Sequence, residues 1–173
     1  MPLTLLLGGA RAGKSKLAAR LAAKSDRPVV VIATAEPRDE EMRARIERHR
    51  ATRPAEWSTV EEPLNLEGAL SDVPPGSVAI VDCLTLWVSN EMEAGRSDEE
   101  IEASARAAAR IGAAGDTVAV SNEVGSGIVP MHPAARRYRD LLGAVNAVWA
   151  DVADRTWLVV AGKALALEEP VAP

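Results

Sequence analysis

A glycine-rich stretch near the start of the chain limits the possible folds more than any other feature of the sequence. Residues 8–15 fit the pattern G-x-x-x-x-G-K-[ST], between the apolar run Leu3–Leu7 and the stretch Lys14–Lys24, which has helical spacing. A strand, a glycine-rich turn and a helix in this order are the context of a phosphate-binding loop. The sequence therefore predicts a P-loop, with a chance glycine-rich turn as the alternative. The predicted loop consists of Gly8, Gly9, Ala10, Arg11, Ala12, Gly13, Lys14 and Ser15.

The residue types of this loop suit a nucleoside triphosphate. Glycines let the backbone turn its N–H groups towards phosphate oxygens, and the helix N-terminus adds partial positive charge. Lys14 is predicted to contact the β- and γ-phosphates, and the Ser15 hydroxyl to bind Mg²⁺. A P-loop also needs an acidic residue at the end of a neighbouring buried strand, and Asp82 follows the apolar run Val78–Val81. Asp82 is thus the second predicted Mg²⁺ ligand; the alternative is a cap on the helix that begins at Leu84.

The rest of the chain alternates short apolar runs with longer stretches of helical spacing. This alternation predicts an α/β, P-loop NTPase-like (RecA-like) domain with a mostly parallel sheet and helices on both faces. The predicted strands are Leu3–Leu7, Val29–Ala33, Val78–Val81, Val118–Val120 and Trp157–Val160. The predicted helices are Lys14–Lys24, Asp39–Arg50, Leu84–Glu93, Asp98–Ile111 and Ala134–Val152, the fourth of them ended by Gly112 and Gly115.

Length and composition bound the class of protein. With 173 residues, the chain is predicted to form one domain over residues 1–173, with a frayed tail at 168–173. A net charge of −5 and an aromatic content of 3% argue against a nucleic-acid partner. Cys83 is the only cysteine, which excludes a disulfide within the chain. No apolar run reaches the roughly 18 residues of a membrane helix, so we expect a cytoplasmic protein with no membrane insertion.

Residues 39–50 read as a helix of very high charge density. His49 lies four residues after Arg45, so the two share one face, and Arg48, Arg50 and Arg53 are close by in the sequence. The usual interpretation of such a run is a solvated surface helix. The alternative is catalytic, because clustered guanidinium groups suit phosphates and a histidine among them can attack an α-phosphate. Composition alone leaves both interpretations open.

Two further segments follow predicted strands, at the sheet edge where ligands bind in open α/β folds. Their candidate residues are Ala33, Thr34 and Ala35 after the second strand, and Asn122, Glu123, Gly125 and Gly127 after the fourth. The first group is predicted to face the nucleotide. In the second group, the two polar residues are candidate contacts for acceptor or nucleotide, and the glycines allow close backbone approach. The alternative for the second group is a turn that only reverses the chain.

Missing motifs narrow the choice among P-loop proteins. The sequence has no N-K-x-D motif, and no D-x-x-G comes directly after the predicted strand that ends at Asp82, which disfavours a guanine-nucleotide switch. The chain is also too short for the two-domain body of a motor or transporter ATPase. A small transferase fits best. A kinase of another metabolite and a GTP-dependent binding module are the alternatives.

Four stretches of the sequence, taken together and in order, resemble one known family. They are Leu6–Ser15, Val31–Ala35, Glu40–Pro54 and Ser121–Pro130. The specific parts are the combinations R-I-x-x-H-R-x-x-R-P and N-E-V-G-x-G-I-V-P. Over nearly its whole length the chain resembles the bifunctional adenosylcobinamide kinase / adenosylcobinamide-phosphate guanylyltransferase family of cobalamin biosynthesis.

This resemblance implies two reactions at one nucleotide site. ATP or GTP phosphorylates adenosylcobinamide; GTP then guanylylates a histidine, and GMP passes to adenosylcobinamide phosphate. By position, His49 matches the guanylylated histidine, although some relatives carry a second histidine where this chain has Arg48, and His132 is a weaker candidate. Arg50, Ala51, Thr52 and Arg53 match nucleotide contacts, Glu61 matches a nucleotide-contacting carboxylate, and Asp82 matches the strand-end acid. The resemblance also implies a homo-oligomer, a trimer.

Overall fold

The computed structural model describes residues 3–169, and part of the predicted frayed tail, residues 170–173, lies outside them. Residues 168 and 169 belong to no helix or strand. The strands are β1 (Thr4–Leu7), β2 (Val29–Ala33), β3 (Ser58–Glu61), β4 (Val78–Asp82), β5 (Asp116–Val120), β6 (Arg155–Val160) and β7 (Lys163–Leu167). The helices are α1 (Lys14–Ala23), α2 (Glu40–Ala51), α3 (Leu66–Ser71), α4 (Leu84–Glu93), α5 (Asp98–Ala114) and α6 (Pro133–Val152).

Within the described residues the strands form one sheet in the order β3-β2-β4-β5-β1-β6-β7. Every pairing in it is parallel except that of β6 with β7, which is antiparallel. Parallel neighbours must be joined by crossovers, so helices return the chain to the starting edge of the sheet. As a result, the carboxyl ends of β1, β2, β4 and β5 meet at one edge. This architecture confirms the predicted α/β fold.

The strands contribute to a core on each face of the sheet because successive side chains point in opposite directions. Leu6 packs with α1 on one face, and Leu5 packs with α3–α6 on the other. Trp87 and Trp149 are completely buried in the second core, where each large apolar side chain contributes about 1.5–3 kcal/mol by leaving water. Helices therefore cover both faces, as predicted. No helix within residues 3–169 has the length and apolar character needed to cross a membrane.

The prediction for the fourth helix is wrong about its end. α5 runs to Ala114, so Gly112 lies inside the helix and only Gly115 follows it. A Cβ atom at Gly112 would lie 3.3 Å from the ring of Trp149. Glycine at this position therefore serves the close packing of α5 against α6, a reason that local sequence does not reveal.

Three elements have no counterpart in the prediction: β3, α3 and β7. Each is only four to six residues long, and β3 and β7 are the outer strands of the sheet. Every residue of β7 is exposed, although four of its five residues are Ala or Leu. Short outer strands lack the buried apolar run by which inner strands are recognised.

Candidate nucleotide site

The predicted P-loop joins β1 to α1, and the ammonium group of its lysine is turned into the loop. The Nζ atom of Lys14 donates hydrogen bonds to the carbonyl oxygens of Gly8 (2.8 Å) and Gly9 (2.7 Å). It also donates to Oδ1 of Asn122, at 2.6 Å. All three acceptors are neutral, and a phosphate oxygen is a stronger partner for an ammonium group than any of them. A phosphate oxygen in the loop would therefore bind the Lys14 ammonium group more strongly than its three neutral acceptors do.

The electrostatic environment of the loop favours an anion as well. Burial lowers the pKa of the Lys14 ammonium; Arg45 lowers it further, and Cys83 and Asp82 act in the opposite direction. Arg45, on α2, thus adds positive charge close to the P-loop. The residue preceding α1, Gly13, has φ +101° and makes no side-chain cap. The first N–H groups of α1 are consequently available to phosphate oxygens.

The hairpin of β6 and β7 supports the P-loop from behind. A Cβ atom at Gly8, where φ is +148°, would lie 2.2 Å from the carbonyl oxygen of Val159. The backbone N–H of Gly162, in the hairpin turn, donates to the carbonyl oxygen of Ala12 at 2.8 Å. Glycine is therefore required at position 8 by contact with the sheet, in addition to any contact with a ligand.

Asp82 ends β4. The sequence predicts that this strand is a neighbour of β1, but β4 and β1 are not adjacent in the sheet. β5 lies between them. The helix that follows the P-loop, α1, packs across β5 and β4 with apolar partners that include Ile80 and Val118. This crossing brings the Ser15 hydroxyl within 3.3 Å of Oδ1 of Asp82. The expected pair forms through the direction of α1 and not through adjacent strands.

Two further side chains, those of His49 and Arg53, approach Asp82 from the end of α2. Its Oδ2 atom lies 3.5 Å from Nη2 of Arg53 and 3.8 Å from Nδ1 of His49. Burial acts to raise the pKa of the Asp82 carboxyl, but His49, Arg53 and Ser15 together outweigh burial and hold that pKa below its ordinary value. Asp82 is thus a carboxylate that links the P-loop serine to the predicted nucleophile.

His49 lies in the last turn of α2. Asp39 caps this helix by accepting a hydrogen bond from the Met42 N–H at 2.7 Å, and the acidic first turn and basic last turn both suit the helix dipole. None of the α2 residues is buried, and the His49 side chain is 42% exposed. α2 is thus a solvated surface helix, as the first interpretation expects, and it also directs its histidine to Asp82; the catalytic interpretation of His49 stays a prediction.

The residues around His49 tie the end of α2 to β3 and β4. Nη2 of Arg50 lies 2.7 Å from Oε1 of Glu61, at the end of β3. Nη1 of Arg53 donates to Oγ1 of Thr59, at 3.2 Å. Thr52 caps the helix and donates its hydroxyl proton to the carbonyl oxygen of His49, at 2.9 Å, whereas Ala51 is exposed. The predicted contacts Arg50, Arg53 and Glu61 thus lie together at one end of α2.

Thr34 is completely buried at the end of β2. Its hydroxyl donates to the carbonyl oxygen of Cys83 (2.7 Å) and accepts from the Cys83 N–H (2.9 Å). The Thr34 side chain therefore braces the ends of β2 and β4 against each other. Ala33 and Ala35, on either side of it, are half-buried.

Among the candidates after β5, Asn122 is the one whose side chain reaches the P-loop. The carboxylate of Glu123 instead accepts hydrogen bonds from the N–H groups of Gly125 (2.7 Å) and Ser126 (3.3 Å). Gly125 and Gly127 are exposed, and a Cβ atom at Gly127 would meet open space. The segment beyond Asn122 thus folds as a turn stabilised by Glu123, in keeping with the alternative interpretation of these residues.

Sequence reasoning missed the residues that hold Asn122. Its N–H donates to Oγ1 of Thr85 at 2.7 Å, and its carbonyl oxygen accepts from Nδ2 of Asn146 at 3.0 Å. Thr85 lies on α4 and Asn146 on α6, so the two supports are far apart in the chain. No local pattern marks them, because the contact exists only once both helices pack on the same face of the sheet.

Two other potential nucleophiles are placed differently. His132 precedes α6 as its N-cap residue and is exposed. Burial, followed by the charge of Asp82, raises the pKa of the Cys83 thiol and so disfavours the reactive thiolate.

The oxygen atoms of Ser15 and Asp82 are the donor types that Mg²⁺ prefers, and their 3.3 Å separation places both beside the phosphate loop. Among residues 3–169, no three His, Cys, Asp or Glu side chains come together as a metal cage. Two protein ligands that leave the remaining positions to water and phosphates are the usual arrangement for Mg²⁺ with a nucleotide. The residues present therefore fit this cation.

Residues 4–167 match the protein family described as cobinamide kinase / cobinamide phosphate guanyltransferase. The chain belongs to this family. A member in Pseudomonas aeruginosa, the bifunctional adenosylcobalamin biosynthesis protein CobP, is 45% identical over 172 residues, which span 96% of this chain and 98% of that protein. The bifunctional adenosylcobalamin biosynthesis protein CobU of Escherichia coli is 39% identical, over 91% of this chain and 95% of its own. The resemblance drawn from the sequence is confirmed.

Two solved structures of proteins with other names share the fold. The flagellar accessory protein FlaH of Methanocaldococcus jannaschii superposes with a TM-score of 0.50 at 15% identity, over 96% of this chain and 78% of that one. A type III secretion system ATPase of pathogenic bacteria gives a TM-score of 0.51 at 11% identity, over 91% and 51%. At such identities these likenesses concern the fold alone, and they agree with the predicted P-loop architecture.

Membership of the cobinamide kinase / guanyltransferase family identifies the chain as an enzyme that transfers phosphoryl and nucleotidyl groups. The two alternatives, a kinase of another metabolite and a GTP-dependent binding module, are therefore not favoured.

Proposed function

We propose that this chain, acting as one nucleotide-binding domain in the cytoplasm, carries out two successive transfers in cobalamin biosynthesis. In the first, ATP or GTP phosphorylates the aminopropanol hydroxyl of adenosylcobinamide. In the second, GTP transfers GMP to adenosylcobinamide phosphate and releases pyrophosphate, giving adenosylcobinamide-GDP. The observation that carries the proposal is the chain of contacts from Ser15 through Asp82 to His49, because it joins a phosphate-binding loop to a nucleophile.

The kinase half rests on the P-loop. Lys14 and the N–H groups at the start of α1 bind the β- and γ-phosphates and stabilise the charge that develops on the oxygens of the transferring group. The side chain of Asn122 orients Lys14, which it contacts at 2.6 Å. Bound Mg²⁺, held by Ser15 and Asp82, supplies charge neutralisation for the phosphate oxygens.

The guanylyl half rests on His49. Its Nδ1 atom faces Asp82, so Nε2 is the atom left to attack. The Nε2 lone pair forms a bond to the α-phosphorus of GTP, the bond from that phosphorus to the β-phosphate oxygen breaks, and pyrophosphate leaves with the electron pair. The imidazolium keeps its Nδ1 proton, and the Asp82 carboxylate that faces Nδ1 stabilises its positive charge. A phosphate oxygen of adenosylcobinamide phosphate next attacks the same phosphorus, and the P–N bond breaks with its electron pair returning to Nε2, which leaves the imidazole neutral.

The two halves place opposite demands on one nucleotide. The γ-phosphate must face the acceptor in the first reaction, and the α-phosphate must face His49 in the second. We therefore propose that α2 moves between the two reactions or that the nucleotide binds in two poses. The absence of buried residues on α2 supports this, since little packing has to be broken to move it.

The remaining residue assignments belong to the same proposal. Arg50, Arg53 and Glu61 contact the nucleotide during guanylyl transfer, together with the strand end around Ala33 and Ala35. The enzyme works as a homo-oligomer, a trimer, in which an open groove between subunits suits a ligand as large and amphipathic as the corrinoid.

Incubation with GTP labelled at the α-phosphate tests the guanylyl half. The wild-type protein should retain the label in alkali and lose it in acid, as a phosphoramidate does. His49→Asn should abolish retention while leaving phosphorylation of adenosylcobinamide in place. His132→Asn, which removes the other histidine of the chain, is the matched control and should label as the wild type does. If His49→Asn still retains the label, His49 is not the guanylylated residue. If the wild-type protein phosphorylates adenosylcobinamide but never retains the label, the enzyme is a kinase without the guanylyl transfer.

A further inference from the structure

The segment that leads into α2 is tied to α4 by a group of polar side chains at the end away from His49. We call Glu36, Arg38, Asn90 and Glu93 the Arg38 cluster. Asn90, on α4, is only 5% exposed. Its Nδ2 atom donates to the carbonyl oxygens of Thr34 (2.8 Å) and Pro63 (3.1 Å). A buried amide that holds the end of β2 and the loop after β3 together fixes the place where the α2 segment leaves the sheet.

Arg38 connects the α2 segment to this amide. Its Nη2 atom donates to Oδ1 of Asn90 at 2.8 Å and to Oε2 of Glu36 at 2.5 Å. Its Nη1 atom forms an ion pair with Glu93, also on α4. One planar guanidinium group thus bridges the linker and the helix α4, a geometry for which arginine is suited and a single-point cation is not. The next residue in the chain is Asp39, the N-cap of α2.

The Arg38 cluster matters because packing contributes little to the position of α2. No residue of the helix is buried. Between its start and α4 lies a groove of about 200 Å³, lined by side chains that include Met42, Leu86 and Ser89. At the far end, α2 is held by the exposed pair of Arg50 with Glu61 and by Arg53 on Asp82. Asp82 is the carboxylate that the proposed function also assigns to the nucleotide, so the Arg38 cluster is the anchor that stays independent of the ligand.

Because α2 is a rigid rod, a small tilt of its start, where the Arg38 cluster holds it, becomes a larger displacement of His49 at its other end. Ten residue steps of about 1.5 Å separate the N-cap Asp39 from His49, roughly 15 Å. A tilt of about 5° at one end of such a rod displaces the other end by about 1.3 Å. A misplacement of about 1 Å can cost a reaction about 100-fold in rate.

From these contacts we propose that Arg38 is a positioning residue for guanylyl transfer. It holds the start of α2 on Asn90 and Glu93 and thereby sets the distance between His49 and the α-phosphate. The inference rests on the proposed function and adds a selective consequence, since the P-loop and Lys14 do not depend on α2 for their own position. Loss of the Arg38 contacts slows the guanylylation of His49 and spares the kinase reaction.

The test compares two rates in each of several variants: labelling of the protein by GTP carrying label at the α-phosphate, and phosphorylation of adenosylcobinamide. Arg38→Ala should lower the labelling rate about 10-fold to 100-fold and leave the kinase rate within about twofold. Arg38→Lys restores the charge but not the planar fork and should recover part of the loss. Arg43→Ala is the matched control, because Arg43 lies on α2 itself and its ion pair among residues 3–169 is with Glu40 of the same helix.

Hydrogen exchange of the amides in residues 40–51 adds a readout of helix position. It should speed up in Arg38→Ala and stay unchanged in Arg43→Ala. Equal labelling in Arg38→Ala and the wild type would overturn the inference, as would an equal loss of labelling and kinase activity. A wild-type protein that never retains the label would instead refute the proposed guanylyl transfer, so the two failures are distinguishable.

Discussion

The P-loop and α2 both contact Asp82, yet they are held in contrasting ways. The P-loop lies against the β6–β7 hairpin, and its Lys14 is 7% exposed with three hydrogen-bond acceptors. α2 has no buried residue, and its histidine is 42% exposed. The proposed phosphate site is therefore held by packing and hydrogen bonds within the chain, whereas the position of the proposed nucleophile depends on a few polar contacts at the ends of one helix.

This difference suits two reactions at one nucleotide. A rigid cradle gives strong electrostatic stabilisation because its dipoles need no rearrangement during the reaction. A nucleophile that has to approach one phosphate and then leave room for an acceptor needs an element of low local stability. Substitutions in the P-loop and α2, and a titration of Tyr138, test this difference.

Lys14→Met should have the largest effect, because it removes the charge at the centre of the preformed cradle. Both the kinase rate and the labelling of His49 should fall on the order of 10²–10³-fold. Steady-state and single-turnover rates with GTP measure this. A loss confined to one of the two reactions would mean that they do not share the P-loop.

Gly8→Ala tests whether the cradle is fixed by packing. The new methyl group would lie 2.2 Å from the carbonyl oxygen of Val159 at a φ of +148°, so the free energy of unfolding should fall by about 1–3 kcal/mol. Gly9→Ala is the control, because nothing lies within 4 Å of a Cβ atom there. Urea denaturation followed by circular dichroism compares them, and equal stability of the two variants would contradict a packed loop.

Tyr138 reports on the packing around Thr85, the residue that holds Asn122 beside Lys14. Burial, with a smaller effect of Cys83, raises the pKa of the Tyr138 phenol to about 12, and the phenol donates to the carbonyl oxygen of Thr85 at 3.2 Å. It is the single tyrosine of the chain, so absorbance at high pH follows it directly. Since the folded state holds this proton more tightly, the free energy of unfolding should fall as pH rises from 10 to about 12. If the phenol of the folded protein titrates at the same pH as in urea, the region around Tyr138 and Thr85 is open to water.

Arg50→Gln should have the smallest effect. The pair of Arg50 with Glu61 is more than half exposed on both sides, and such pairs contribute about 0.5 kcal/mol or less. The labelling rate should fall only about twofold at saturating GTP, where the proposed contact of Arg50 with the nucleotide affects mainly the GTP concentration required. Added salt should reduce the wild type to the same rate because it screens exposed charges. Arg106→Gln removes a comparable pair on α5 and should change neither rate. A loss of tenfold or more in Arg50→Gln would show that α2 is held mainly at its histidine end.

The features that could be predicted from the sequence are those encoded locally. The P-loop and the inner strands are continuous runs with a known periodicity, and Asp82 stands at the end of one of them. The role of His49 could not be decided from the charged helix alone. Its assignment came from resemblance, because a solvated face and a nucleophile at the edge of a site have the same composition.

The features that could not be predicted depend on distant parts of the chain. Asn122 holds Lys14 across 108 positions of sequence, and Thr85 and Asn146 hold Asn122 only after α4 and α6 have packed. The position of β5 between β1 and β4 is also a property of the assembled sheet. No local periodicity distinguishes it from the direct adjacency that we expected.

The strand order has a consequence for how the chain is made. Of the strands described here β1 is synthesised before the others, but its two neighbours are β5 and β6, and Gly162 donates the hydrogen bond that holds Ala12. The glycine turn after β1 therefore lacks these partners until synthesis has passed the β6–β7 hairpin. A polypeptide stalled before residue 155 would lack the strand against which that turn is shaped, and it should fail to retain a nucleotide even though every residue of the motif is present.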